Sequence, residues 1–202
     1  MRLIKKLEIS LSIALVISVI FSICTFAKTS DNIRGQVLRL HVIANSDTSA
    51  DQSLKLKVRD GVLKASPEIF DGSVNIENAV ERLTPRLDEI TATARNIIKK
   101  EGYDYPVRVT ISREYFTTRT YDTVTLPAGN YLALRIVIGE GRGHNWWCVM
   151  FPPMCLPAAR KEETIGTVLN DREVRLVEKN PKYEIRFKIV EICEELKNRI
   201  QG

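Results

Sequence analysis

The pattern of apolar and polar residues separates a short N-terminal segment from the rest of the chain. Residues 9–27 are a run of 19 residues without a charge, and three basic residues precede them, Arg2, Lys5 and Lys6. A helix of this length can just span a bilayer, while the small residues Thr25 and Ala27 suit signal peptidase. A cleaved signal and an uncleaved anchor therefore both remain open. In either case the preceding basic residues keep that end cytoplasmic, so the pattern predicts that the remainder is exported.

The next segments predict a linker, a strand and a helix. Residues 28–35 are polar and predict a short linker. Residues 37–43 alternate as in a strand, and a polar turn over residues 44–48 follows. Ser49 stands three residues before Gln52, a spacing typical of a capping box, and apolar residues then recur at helical intervals. We therefore expect a strand, a tight turn and a helix of about four turns.

The clearest helical pattern lies in the middle of the chain. Its apolar positions are spaced alternately by four and three residues: Ile76, Val80, Leu83, Leu87, Ile90, Ala94 and Ile97. Asn75 is the expected N-cap, and Gly102 follows the last turn as a stop signal. Pro85 lacks a backbone donor, so we expect a kink or break near Thr84. This apolar stripe favours a helix that packs on its own sheet over a partner-binding coiled coil.

The spacing of the apolar residues then changes from a helical period to the alternation of a strand. Residues 107–111 and 132–138 alternate and predict an antiparallel pair, and residues 146–151 predict a short buried strand. Residues 183–189 fit either a strand or the start of a C-terminal helix. The order predicts a single α+β domain of two layers over residues 36–202. Its sheet is expected to be mainly antiparallel, with helices packed on one face, after the export segment of residues 1–27.

Composition narrows the class of protein without indicating an activity. The 202 residues are 44% hydrophobic and 27% charged, which is typical of a globular domain and excludes a disordered chain or a multi-span membrane protein. The formal net charge of +5 arises from 30 basic and 25 acidic residues, and a nucleic-acid binder usually carries a stronger, clustered excess. Four cysteines are too few for a disulfide scaffold but sufficient for one or two bridges.

The two histidines and four cysteines are candidates for a metal site or for a Cys–His catalytic pair. The sequence around His41 and His144 has none of the HExxH, paired CxxC or Asp-rich patterns of metal sites, so no metal is expected. No cofactor is expected either. A Cys–His hydrolase built on Cys148 and His144 is the alternative function. Outside the cytoplasm, however, two nearby thiols tend to oxidise to each other. We therefore expect a disulfide between Cys148 and Cys155, which would leave that hydrolase without its nucleophile.

The tandem tryptophans and the polar turn are candidates for a binding surface. If residues 146–151 form a strand, Trp146 and Trp147 point to opposite sides of the sheet, and one of them can be exposed beside the glycine-rich loop 139–143. Local structure can equally well cover both rings. Asn45 and Asp47 can bind a ligand, but turn and capping hydrogen bonds account for them as well.

Two longer blocks carry a resemblance to a known family. The first is LRLHVIANSD at residues 38–47 with DQSLKLKVRD at residues 51–60, and the second is HNWWCVMFPPMC at residues 144–155. Both resemble the stage II sporulation protein R family, over roughly residues 34–200. The stretch 160–182 is the weakest part of this match.

The resemblance implies an intercellular signal and not an enzyme. Members of this family are made in the forespore and secreted into the space between the two septal membranes. There they trigger a membrane-embedded aspartic protease of the mother cell, which cleaves the precursor of sigma factor E. The expected partner of this chain is therefore that protease, and no catalytic residue is carried over. We expect the receptor contacts at His41, Asn45, Asp47, Trp146 and Trp147.

Overall fold

The computed structural model describes residues 2–70, 72–121, 124–152, 154 and 168–177, together with residues 187, 188, 191, 192 and 194. Its elements are α1 (Arg2–Gln36), β1 (Leu38–Ile43), α2 (Ser49–Phe70), α3 (Ile76–Leu83), a 3-10 turn (Thr84–Arg86), α4 (Leu87–Lys100), β2 (Val107–Phe116), β3 (Arg119–Tyr121), β4 (Val124–Leu126), β5 (Gly129–Ile138), β6 (Asn145–Phe151) and α5 (Asp171–Val177). Most of the stretch 183–189, predicted as strand or helix, lies outside the described residues.

The main sheet has four strands in the order β2-β5-β1-β6. β2 pairs antiparallel with β5 in the predicted way, from Val107 opposite Ile138 to Phe116 opposite Gly129. β1 inserts between β5 and β6, parallel to β5 and antiparallel to β6. The predicted α+β class with a mainly antiparallel sheet is therefore confirmed, and the parallel β1–β5 pair is an addition to it. β3 and β4 form a separate two-stranded hairpin.

The first face of the sheet is covered by α2, α3 and α4. Their apolar stripes meet Leu38, Leu40 and Val42 of β1, together with Cys148 and Met150 of β6, in one buried cluster. Burial of these side chains is the main hydrophobic contribution to folding on this side. The predicted helical stripe over α3 and α4 is thus the face that packs on the sheet.

The second face is covered fully at one end and only in part at the other. There the C-terminal part of α1, the β3–β4 hairpin and α5 pack on Phe116, Tyr131, Ala133 and Val149. Toward the other end of the same face, Ile43 and Val137 are buried against Gly141, whereas Arg108 and Thr110 of β2 are exposed. This more open half adjoins the loop that links β5 to β6.

The segment 28–35, predicted as a linker, is helical and belongs to the domain. α1 continues without a break to Gln36, and Phe26, Ile33 and Val37 are buried in the second cluster. Arg34 donates to the Ala128 carbonyl at 2.6 Å and lies 3.3 Å from Glu194. The linker prediction was wrong because the buried positions recur at helical spacing within a polar sequence.

The helices begin and end as the capping residues predict, except that the N-cap of α2 lies one residue earlier than expected. Asn75 caps α3 by accepting from the Asn78 backbone N–H at 2.9 Å, and the 3-10 turn at Thr84–Arg86 is the expected break at Pro85. α2 is capped by Thr48 rather than by Ser49, because the Thr48 hydroxyl accepts from the Asp51 N–H at 3.2 Å. Gln52 instead donates to the Ser46 carbonyl at 2.9 Å. The helix therefore begins at Ser49, and its cap lies one residue earlier than predicted.

Candidate functional site

The predicted site residues gather around the end of the sheet where β1 stops and β6 starts. The turn 44–48, the glycine-rich loop 139–143 and the N-terminus of α2 meet there, and we call this region the loop end. Backbone hydrogen bonds join the two loops, from Arg142 to the Asn45 carbonyl at 3.1 Å and from Gly143 to the Ala44 carbonyl at 3.0 Å. The sequence blocks separated by almost a hundred residues are thus one surface.

Asn45 holds this surface together from inside. Its side-chain oxygen accepts from the Glu140 N–H at 3.0 Å, and its amide donates to Asp51 at 2.9 Å. Gly139 has a φ of +59°, and a Cβ at that position would lie 2.2 Å from the Asn45 side-chain oxygen. A side chain at Gly139 would therefore be strained and would also displace Asn45. Asn45 has a structural role in positioning the loops.

Asp51 is the buried acceptor beneath the turn. The Ser46 hydroxyl donates to it at 2.5 Å, beside the amide of Asn45. Burial alone would raise the pKa of Asp51, but the hydrogen bonds from Ser46, Asn45 and Tyr105 hold it below its ordinary value. The carboxylate is therefore ionised at neutral pH and fixes the turn on α2.

Asp47 and His144 form an exposed pair at the tip of the loop end. One oxygen of Asp47 accepts from the His144 backbone N–H at 2.5 Å and also contacts the imidazole Nδ1. These interactions, the backbone hydrogen bond first, lower the pKa of Asp47. The side chains are 54% and 78% exposed, respectively. Asp47 thus orients His144 toward solvent.

His41 lies away from Asp47, on the second face of the sheet. Its Nδ1 contacts Glu114, and its Nε2 is 3.0 Å from the Asn145 side-chain oxygen. Glu114 is also 3.1 Å from Arg135 and accepts from the Ser112 hydroxyl at 3.1 Å. His41 is therefore the centre of a polar network across β6, β1, β5 and β2.

The tandem tryptophans point to opposite sides of β6, in agreement with the predicted strand. Trp146 lies on the side of α2, with the Arg59 guanidinium 4.1 Å from its ring centre. Trp147 lies on the second face, with Arg119 at 4.3 Å and the His41 ring at 5.9 Å. Each ring is thus covered on one side by an arginine, and Trp146 remains 36% exposed.

Sequence reasoning missed a buried arginine beside this site. The side chain of Arg39 is fully buried, with its guanidinium 4.3 Å from the Phe116 ring centre and 4.9 Å from that of Tyr131. Its Nε donates to the Cys148 carbonyl at 3.1 Å, and it also contacts the Tyr121 hydroxyl. Burial lowers the pKa of Arg39, whereas the pKa of Tyr131 is raised by its own burial. The position of Arg39 in an alternating strand did not indicate that its side chain is buried, because its aromatic neighbours are distant in sequence.

The fold separates the residues of the alternative Cys–His hydrolase. Cys148 is buried in the helix-covered cluster, whereas His144 precedes β6 and is exposed. Four residues along a strand span ~13 Å, too far for a thiol–imidazole hydrogen bond. His41 lies on the other face of the sheet from Cys148. Within the described residues no three His, Cys, Asp or Glu side chains are grouped to hold a metal ion. The Cys148–Cys155 disulfide stays a prediction, since Cys155 is outside the described residues.

Known proteins are similar to this chain over the same sequence blocks that form this site. The family model described as stage II sporulation protein R matches residues 34–161, which include both loops and β6. The protein named stage II sporulation protein R of Bacillus subtilis (strain 168) is 39% identical over 133 residues. That alignment covers 64% of this chain and 59% of the relative's length. No solved structure matches the chain. The chain belongs to the stage II sporulation protein R family.

Proposed function

We propose that this chain is an exported signalling protein of endospore formation. In this proposal it crosses the forespore membrane and acts in the intermembrane space. There it activates a membrane-embedded aspartic protease of the mother cell, which then removes the pro-sequence of the sigma factor E precursor. The observation that carries the proposal is the family match over residues 34–161.

The N-terminal helix supports export. From Ile4 onward α1 is long and apolar enough to cross a membrane, and its apolar side chains are exposed, although signal sequences share these properties. The basic residues before this run favour a cytoplasmic N-terminus and so support a domain on the far side of the membrane. An extracytoplasmic domain can reach a receptor in the facing membrane.

The loop end supplies the proposed receptor contacts. Trp146 and the Asp47–His144 pair are exposed there, while His41 and Trp147 border the second face. Aromatic side chains next to oriented polar groups are common at the centre of protein interfaces. Asn45 acts indirectly in this proposal, since it positions the loops. A signal of this kind activates its receptor only by binding the active state more tightly than the inactive one.

Reconstitution tests this function directly. The receptor protease and the sigma factor E precursor are placed in liposomes with or without the purified chain, and precursor cleavage is followed. We expect cleavage to depend on the wild-type chain. Replacement of Trp146 or Asp47 by Ala should reduce cleavage at least about tenfold, as loss of an interface hot spot does.

Arg95→Ala provides a control, because Arg95 is exposed on α4, whose packing side covers the first face. Circular dichroism and thermal unfolding show whether each variant is folded. Cleavage that proceeds equally well without the chain contradicts the proposed activation. Full activity of both folded variants removes Trp146 and Asp47 from the contact surface and leaves the activation itself intact.

A further inference from the structure

We propose that the more open half of the second sheet face, together with Arg119 of the adjoining β3–β4 hairpin, docks an acidic segment of the partner protein. This surface, which we call the arginine face, comprises Arg108, Arg119, Arg135, Trp147 and the His41–Glu114 pair. The inference rests on the proposed function, because it specifies the chemistry by which the receptor is held. It adds Arg108, Arg119 and Arg135 to a surface of which the sequence indicated only His41 and Trp147.

The register of the strands brings these side chains into one row. His41 is paired with Trp147 on one side and with Arg135 on the other, and Arg135 is paired with Thr110 of β2. At ~4.8 Å between strands, the row from Trp147 to Thr110 is about 14 Å wide. Arg108 lies two residues from Thr110 on the same side of β2, and Arg119 extends the row over Trp147.

The charges of this face do not cancel. Glu114 is already shared by Arg135 and His41, and Glu140 in the adjoining loop lies 3.2 Å from Arg142. Arg108 and Arg119 are exposed, and neither takes part in an ion pair among the described residues. The face therefore presents two unmatched guanidinium groups, and Arg135 is itself 43% exposed.

The composition of the face favours carboxylates of a protein as its ligands. Its exposed cations are all arginines, whose planar groups bind carboxylates in a bidentate manner and stack on aromatic rings. They are carried on strands, and Arg119 is further held by its stacking on Trp147. Fixed spacing on rigid elements suits a defined chain of acidic side chains better than a fluid lipid surface. We therefore assign the occupant as an acidic protein segment.

Charge reversal with a matched control tests this assignment. The docking variant is Arg108→Glu with Arg119→Glu in the full chain. The control is Arg113→Glu with Arg95→Glu, which makes the same change in net charge on exposed residues of β2 and α4. Arg113 alternates with Arg108 along β2 and points to the opposite side. Binding is measured to the solubilised receptor protease, to a Glu-rich synthetic peptide and to anionic phospholipid vesicles, with thermal unfolding as the check of folding.

We expect the docking variant to bind the receptor and the peptide at least about tenfold more weakly, and the control variant to stay within about threefold of wild type. Added salt should weaken wild-type binding more than that of the docking variant. Equal loss in both variants, no loss in the docking variant, or a loss confined to vesicle binding would overturn the proposal. A wild-type chain that binds the peptide but does not stimulate precursor cleavage contradicts the proposed receptor and retains the arginine face as a site for acidic segments.

Discussion

The two faces of the sheet are built by different physical means from the same strands. On the helix-covered face β1 contributes Leu38, Leu40 and Val42, which are buried in an apolar cluster. On the opposite face the intervening residues are Arg39 and His41, which are held by aromatic rings and hydrogen bonds. Apolar packing is non-directional, whereas these polar contacts require particular partners at particular positions.

This difference separates two requirements of a signalling domain. The helix-covered face provides the buried area that stabilises the fold. The second face is only partly covered, so exposed charge and aromatic groups lie on a rigid sheet beside a buried polar layer. A partner can bind such a face without any loss of the hydrophobic core, which is the arrangement that preorganised recognition needs.

Truncation on the helix-covered face should have the largest effect. Leu40 is fully buried. Leu40→Ala removes apolar contacts and leaves a cavity, so we expect the free energy of unfolding to fall by about 4 kcal/mol. Chemical denaturation of the variant and the wild type measures this difference. A loss below about 1 kcal/mol would show that the two faces are not distinguished by apolar packing.

Arg39 allows the complementary test on the second face. Arg39→Lys keeps the charge but loses the planar group that stacks on Phe116 and Tyr131, and an ammonium is more strongly hydrated. We expect a loss of about 3 kcal/mol for this variant and a change within about 1 kcal/mol for Arg39→Met, which removes the buried charge. Denaturation at neutral pH compares the two. If Met is the more damaging replacement, the charge itself stabilises the face.

Replacement of Asp51 at the loop end, where the two faces meet, should have the smallest effect on the free energy of unfolding. This effect should also depend on pH. The pKa of Asp51 is lower in the folded chain than its ordinary value of 3.8, so the folded state binds its proton less readily. This stabilisation is complete above the unfolded pKa and is lost as the pH falls through the folded value. Asp51→Asn should therefore lower stability by about 1–2 kcal/mol near pH 7 and less below about pH 4.

Asp60→Asn serves as the control for this effect, since Asp60 lies on the same helix and is 63% exposed. Unfolding curves are recorded for both variants across the acidic range. A difference between Asp51→Asn and wild type that stays constant with pH would contradict the proposed role of the ionised carboxylate.

Local sequence patterns were sufficient to predict the helices and strands that have one buried side. Pro85 marks the break between α3 and α4, and the alternation of residues 107–111 with 132–138 predicts the β2–β5 pair. At the site, the opposite orientation of Trp146 and Trp147 followed from the strand period alone. In each case the signal lies within a few residues, where period and backbone chemistry act directly.

The remaining features depend on residues that are far apart in sequence. Arg39 is buried because Phe116 and Tyr131 surround it, and no local pattern records such neighbours. His41 meets Glu114 only through the insertion of β1 beside β5. The helical segment 28–35 was missed for a different reason. Its buried positions include Ser30 and Arg34, so a prediction that relied on apolar residues assigned the segment as a linker.

The central position of β1 has a consequence for the order in which the chain can fold. β1 ends at Ile43, whereas its two neighbours start at Gly129 and Asn145. A ribosome that adds ~5–20 residues per second delivers those neighbours several seconds later. The strand remains without its partners during that time, because non-local pairings form only after the intervening loop has closed. Nascent chains that end before residue 129 therefore lack both neighbours of β1, and the sheet can close only when nearly three quarters of the 202 residues have been made.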